Sequence, residues 1–145
     1  MAHYIFNLVS RETAPRPGLR ERAAAFLRAG MWAVDRDESH GSSLVVGDLV
    51  LVYLGAPERK LVGRAELASP LHDWSEAEAQ ACPGDSSGGV TLAEVEEWDP
   101  PVRMSAVLSQ MDPSEKAKAD FALGVVRITA NEYATAVAVA AERAT

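Results

Sequence analysis

The sequence predicts an α+β domain, with about five or six strands in a mixed or antiparallel sheet that curls into a barrel and helices at its periphery. Two observations carry that expectation. Apolar runs of strand length are joined by turns or short helical pieces, without the regular alternation of a doubly wound sheet. The chain of 145 residues, 48% hydrophobic and 24% charged, is long enough for one core and short for two, so residues 1–145 read as a single domain.

The first strand is residues 3–9, where Tyr4, Phe6 and Leu8 alternate with Ile5, Asn7 and Val9. Residues 10–18 break it. Leu19, Ala23, Phe26 and Leu27 then recur at helical spacing, and Gly30 stands where such a helix needs a left-handed stop. Met31 to Val34 is a short apolar run before a polar loop, residues 35–43, of the kind that carries function. Leu44 to Leu54 is almost continuously apolar, which predicts a strand buried on both faces and therefore central in the sheet.

Residues 55–59 signal a turn, and 60–67, with Leu61, Gly63, Ala65 and Leu67 in alternation, return as the second arm of a hairpin. From Ala68 to Gly89 the chain is polar, a mobile excursion holding Trp74 and a helix cap at Ser75. Val90 to Trp98 reads as a strand that Asp99, Pro100 and Pro101 should end. Met104, Val107, Leu108 and Met111 predict short helical turns, Pro113 suits a first helical position, and residues 124–128 form a short strand. Thr129 and Glu132 make a capping box, each side chain satisfying an orphan backbone donor, so a helix runs from there to about Arg143.

Composition excludes several functions. Cys82 is the only cysteine, so neither a disulfide nor a thiolate zinc cluster can form within the chain, and a reducing cytoplasm is the expected setting. No run approaches the roughly 18 apolar residues of a membrane span. The net charge of −7 argues against attraction to a polyanion over the whole surface. The charge is uneven, however: residues 1–36 hold six arginines against three acids, leaving eight basic and eighteen acidic residues in the remainder. Counterion release therefore favours the first quarter as the place where phosphates are met.

Catalytic and metal-binding patterns are weak. Gly84 to Gly88 matches the nucleophile-elbow pattern with Ser86 as nucleophile, but Pro83 precedes it, a strand follows it and no histidine lies beyond His72. His3, His40 and His72 are isolated, so no metal is expected, and no glycine-rich phosphate loop occurs. Glu94 and Glu96 share one face of a strand and read as a solvated edge. What remains is a binding constellation. Trp32 precedes the polar loop, Tyr4 and Phe6 lie on the first strand, and Asn7, Ser10 and Arg11 follow at its end. A flat aromatic beside amide and hydroxyl groups suits a planar heterocycle, the ring stacking and the polar groups reading its edge. The competing reading makes Trp32 ordinary core and Asn7 and Ser10 turn caps.

In their order these segments resemble the EVE domain family of the PUA-like superfamily, which also includes the YTH and ASCH domains. The resemblance spans nearly the whole chain. It rests on Tyr4 to Arg11, on Gly30 to Val34 with Trp32 before the loop, on Gly47 and Asp48 opening the strand that ends at Tyr53, and on Leu61 to Ala65. Phe121, residues 124–128 and the pair Glu132 and Tyr133 agree at the end. The resemblance implies a PUA-like curled barrel with a pocket for a modified nucleobase. Within it Trp32 corresponds to the pocket tryptophan, Asn7 and Ser10 to polar residues after the first strand, and Asp35, His40 and Ser42 to the bordering loop. This chain departs from the family pattern where many relatives place a first-strand tryptophan, offering Tyr4 or Phe6, and Leu8 to Arg11 keeps only the serine of a Lys-Ser-Glu-Pro segment found in one branch.

The expected function is a non-catalytic reader of a modified base, in DNA first and in RNA as the second choice, which the sequence leaves open, with Arg11 and Arg36 on flanking phosphates and no cofactor. Two alternatives stay open: an enzyme acting on a nucleoside or small heterocycle, and an interaction subunit whose partners are proteins of a restriction or toxin system. The sequence leaves the oligomeric state and the modification undetermined.

Overall fold

The computed structural model describes residues 2–8, 19–34, 41–55, 59–82, 87–110 and 125–144. The Ser86 motif, the helical turn at Pro113, and Phe121 lie outside them. In chain order the elements are β1 (His3–Leu8), α1 (Leu19–Ala29), β2 (Met31–Ala33), a 3-10 turn (Gly41–Ser43), β3 (Leu49–Leu54), β4 (Lys60–Leu67) and β5 (His72–Asp73). They continue with α2 (Glu76–Ala81), β6 (Gly88–Arg103), α3 (Met104–Leu108), β7 (Val125–Ile128) and α4 (Ala130–Ala144).

The strands form a mixed sheet in the order β2-β6-β4-β3-β1-β7, curled into a half-barrel, with β5 a two-residue addition beside β6. β3 is central, as its apolar run predicts, and it starts at Leu49 rather than at Leu44. The reason lies in the preceding turn: Gly47 takes a left-handed φ of 95°, and Val45 and Val46 are exposed. Gly47 donates to the carbonyl of Leu67 at 2.9 Å while Leu67 donates back to Asp48 at 2.8 Å, so the Gly-Asp pair clips the start of β3 to the end of β4. β1 runs parallel to β3 and antiparallel to β7; the other pairings are antiparallel.

β3 separates two cores, because successive side chains leave a strand on opposite faces. Val50, Val52 and Leu54 join Tyr4, Phe6, Phe26, Leu27 and Trp32 beneath α1. Leu51 and Tyr53 join Ile5, Leu61, Trp98, Tyr133 and Val139 beneath α3 and α4. α1 keeps its predicted bounds and its left-handed stop, Gly30 at φ 69°. The capping box at Thr129 and Glu132 is formed, with N–H to side-chain distances of 2.9 and 3.0 Å, and opens α4.

β6 does not end at the prolines; it continues through Pro100 and Pro101 to Arg103. Glu97 pairs with Gly63 and Val102 with Leu61, so residues 98–101 bulge against the single residue Val62, and prolines there forfeit no ladder hydrogen bond. A second irregularity places Glu94 at φ 49°, which breaks the simple alternation that put Glu94 and Glu96 on one face. The excursion after β4 is also built: β5 pairs with Gly88 and Gly89, and α2 carries a complete capping box on Ser75. No helix among the described residues is long and apolar enough to cross a membrane.

Candidate functional site

Three of the residues singled out from the sequence meet in the first core. Tyr4 and Phe6 occupy one face of β1 with no solvent exposure, and Trp32 is 3% exposed. The Trp32 ring stacks near Phe6, with centroids 6.2 Å apart and 27° between planes, and meets Phe26 of α1 at 5.2 Å and 49°. The indole is therefore enclosed in an aromatic cluster rather than presented as an open platform, and a planar ligand could lie against it only by displacing a neighbour. The apolar stripe of α1 is the sequence signal for this: Phe26 needs a partner, and the short strand after Gly30 supplies Trp32.

Above this cluster the 41–48 turn is pinned by a buried carboxylate. Asp48, 1% exposed, accepts from the backbone N–H of Ala2 at 2.9 Å and of Val45 at 3.2 Å. The Tyr4 hydroxyl donates to the carbonyl of Ser43 at 3.5 Å, joining the aromatic cluster to the same turn. Burial pushes the Tyr4 phenol above its usual range, the nearby Asp48 charge adds to that, and Arg127 opposes it. Asn7 is brought in from the other side: it is buried, but it falls on the face of β1 that carries Ile5, away from Trp32. The backbone of Ser42 is in the 3-10 turn. Ser10, Arg11, Asp35, Arg36 and His40 lie outside the described residues.

A second polar group, overlooked in the sequence, ties the 68–82 excursion to the sheet. His72 Nε2 lies 3.0 Å from both carboxylate oxygens of Glu78, and Nδ1 lies 2.9 Å from the carbonyl of Pro70 and 3.4 Å from Ser69 Oγ. Ser69, His72 and Glu78 are the residue types of a hydrolytic triad, but the geometry is wrong for one. Nδ1 must donate to the Pro70 carbonyl, so it has no lone pair with which to accept a proton from Ser69, whose hydroxyl already accepts from Thr91 N–H at 2.9 Å. Two acceptors on two ring nitrogens favour the imidazolium. The Pro70 carbonyl chiefly, and Glu78 after it, raise His72 above the ordinary 6.5, while Ser75 N–H and His72 lower Glu78 below 4.5.

The sign of the resulting pH dependence follows from linkage. A raised imidazole contributes fully below pH 6.5 and loses its contribution as pH climbs through the raised value, whereas the lowered carboxyl contributes fully above pH 4.5. The clasp is thus strongest between those values. Melting temperatures of wild type and His72→Gln from pH 5.5 to 8.5 should converge as pH rises; curves that stay parallel would refute the clasp. Trp74 meets His72 edge-on at 5.5 Å and lies against the backbone of Gly89, so the clasp also fixes an indole beside β2.

On the opposite face, α4 is docked by Tyr133, which is 8% exposed and tilted against His3 at 5.1 Å. Arg64 reaches Glu96 at 3.1 and 3.2 Å, and Glu96 also accepts from Trp98 Nε1 at 2.9 Å. Burial raises the Tyr133 phenol, against the lowering effect of Arg64. Among the described residues no group of three or more His, Cys, Asp or Glu side chains converges as a metal site.

No protein-family model and no curated protein matches the chain. Solved structures do match it. A hypothetical protein from Leishmania major aligns over 100% of this chain and 98% of its own at 17% identity, with a TM-score of 0.68. A protein from Agrobacterium tumefaciens covers 98% of this chain and 92% of its own at 19% identity and 0.58. The ASCH protein of Zymomonas mobilis covers 94% of each chain at 13% identity and a TM-score of 0.59. Identities this low show the fold alone: the chain has the PUA-like fold, as the ASCH protein does.

Proposed function

We propose that this protein is a nucleic-acid-binding domain that reads a modified base without chemistry on it, in DNA in the first instance. The observation that carries this reading is the aromatic cluster of Tyr4, Phe6 and Trp32 tied by the Tyr4 hydroxyl to the 41–48 turn, within a PUA-like fold. The cluster supplies stacking surface, and the arginines of the first quarter, Arg11 and Arg36 among them, supply phosphate contacts. The ASCH likeness supports nucleic acid as the ligand class, and the EVE resemblance supports the modified base. Because Trp32 is covered, binding is coupled to an opening step, and the affinity is reduced by the fraction of molecules that are open.

The test is a tryptophan-fluorescence titration against single-stranded and duplex DNA carrying one of a panel of modified bases, each beside its unmodified control. A preference of at least about tenfold for one modification, abolished in Trp32→Phe while the melting transition stays cooperative, is the expected result. Equal affinity for every modified and unmodified strand would overturn the reading.

A further inference from the structure

Two segments cover the first core, and they differ in how much they bury. α1 contributes Ala23, Phe26 and Leu27, all of them buried. In residues 69–82, Leu71 and Trp74 pack against the core and Cys82 belongs to it, yet Cys82 alone is buried and α2 buries no residue. Opening this second segment exposes less apolar surface than lifting α1, so it is the side on which the core opens at least cost.

The segment is built to move as one piece. Its near end is fixed to β6, since Ala68 N–H donates to the Thr91 carbonyl at 2.8 Å and Ser69 Oγ accepts from Thr91 N–H at 2.9 Å. Beyond Pro70, β5 pairs through two residues with Gly88 and Gly89, and Trp74 N–H donates to the Ser87 carbonyl at 3.0 Å. A pairing that short is marginal by itself. One carboxylate extends it: Glu78 meets His72 Nε2 at 3.0 Å and accepts from Ser75 N–H at 3.0 Å, so β5 and the first turn of α2 detach together. Gly89 sets the segment beside the aromatic cluster, because the Trp32 carbonyl and the Trp74 ring both lie against it.

We propose that residues 69–82 are a strap over the aromatic core, that its release is the opening step through which a planar heterocycle reaches Trp32, and that the His72–Glu78 clasp governs that release. The inference rests on the reading of the aromatic cluster as a base-binding site and names the part that moves. Among the described residues the charged groups facing His72 are Glu78 from α2 and Asp73 from β5, and both favour the imidazolium; the β6 residues opposite, Gly88 and Gly89, carry no charge. The clasp is complete when His72 is protonated and Glu78 ionised. The strap is therefore held most firmly between pH 4.5 and 6.5 and opens as pH climbs through the raised value of His72. Higher pH thus enlarges the open fraction, and affinity rises with it.

The experiment is amide hydrogen exchange on the full chain from about pH 5.5 to about pH 8.5, with rates expressed as protection relative to the unfolded peptide so that intrinsic base catalysis cancels. Protection of Trp74 N–H in wild type should fall at least about threefold over that range, while Phe26 and Leu27 in α1 keep theirs. His72→Gln should show the low value at every pH. Thr129→Ala, which removes the cap of α4 beside the second core, should keep the wild-type pH dependence. In a second measurement, acrylamide quenching of Trp32 in a Trp74→Phe/Trp98→Phe background should rise with pH in parallel. Trp74 protection that is flat with pH or unchanged in His72→Gln would overturn the proposal. So would exchange of α1 in step with β5, or a pH dependence lost in Thr129→Ala, since either means that the whole domain opens. Flat quenching of Trp32 beside an opening strap would overturn it too, by showing that the strap does not cover the indole. Neither readout uses a ligand, so a failure of base reading appears only in the titration with modified DNA and leaves the strap standing.

Discussion

Trp32→Ala is expected to destabilise the protein by about 3–5 kcal/mol, the range for removing a large aromatic from a packed core. The indole is 3% exposed and fills the space between Phe6 of β1 and Phe26 of α1, so truncation leaves a void lined by two rings and by the β6 backbone that pairs with β2. α1 and the sheet share that contact, and neither can collapse into the void without moving the other. Urea denaturation followed by far-ultraviolet circular dichroism measures the effect. A midpoint within experimental error of wild type would show that the indole is not part of the core, and would return it to the role of an open stacking surface. With a total stability of about 5–15 kcal/mol for a domain of this kind, the expected loss is a large share of the whole. For that reason Trp32→Phe, which keeps most of the ring volume, is the variant suited to binding measurements, and alanine is not.

Gly89→Ala should cost about 3 kcal/mol or more, at or above the upper end for overpacking. A methyl group at this position would collide with the carbonyl oxygen of Trp32 and sit 3.0 Å from Cα of Ala33, with the Trp74 ring at 2.9 Å. Two of those obstacles are backbone, which cannot rotate away, and Gly89 pairs with β2 on one side and β5 on the other. Relief therefore requires one of the two edge strands to detach. Loss of β5 would release the His72–Glu78 clasp, and loss of β2 would unseat Trp32. Thermal melting with tryptophan fluorescence distinguishes the outcomes, and an unchanged melting temperature would contradict the close approach of the three strands.

Segments were legible in the sequence where a local pattern controls them. The alternation of β1, the apolar stripe and glycine stop of α1, the returning arm of the β3–β4 hairpin and the cap of α4 all follow from side chains a few residues apart, and the structure keeps them nearly to the residue. Readings failed where a distant strand changed the local rule. Pro100 and Pro101 look like a strand end, yet β4 passes them with the single residue Val62, so their missing donors are never called upon. His72 and Asp73 carry no strand signal of their own and pair only because Gly88 and Gly89 let another backbone come close. Asn7 is a different case: the alternation of β1, legible in the sequence, already sets it on the face opposite Tyr4 and Phe6, so grouping the three in one binding constellation failed on a local rule.

The sequence by itself determined the fold class, the centrality of the apolar strand that ends at Leu54, though not its start, and the acidic net charge with its basic first quarter, because periodicity and charge are properties of neighbouring residues. Only the tertiary structure decided that β1 runs parallel to β3, that Trp32 is enclosed by Phe6 and Phe26, and that Lys60 faces Arg103. These depend on which segments meet across the sheet, and the free energy that selects such meetings comes from burying shared apolar surface, which no window along the chain contains.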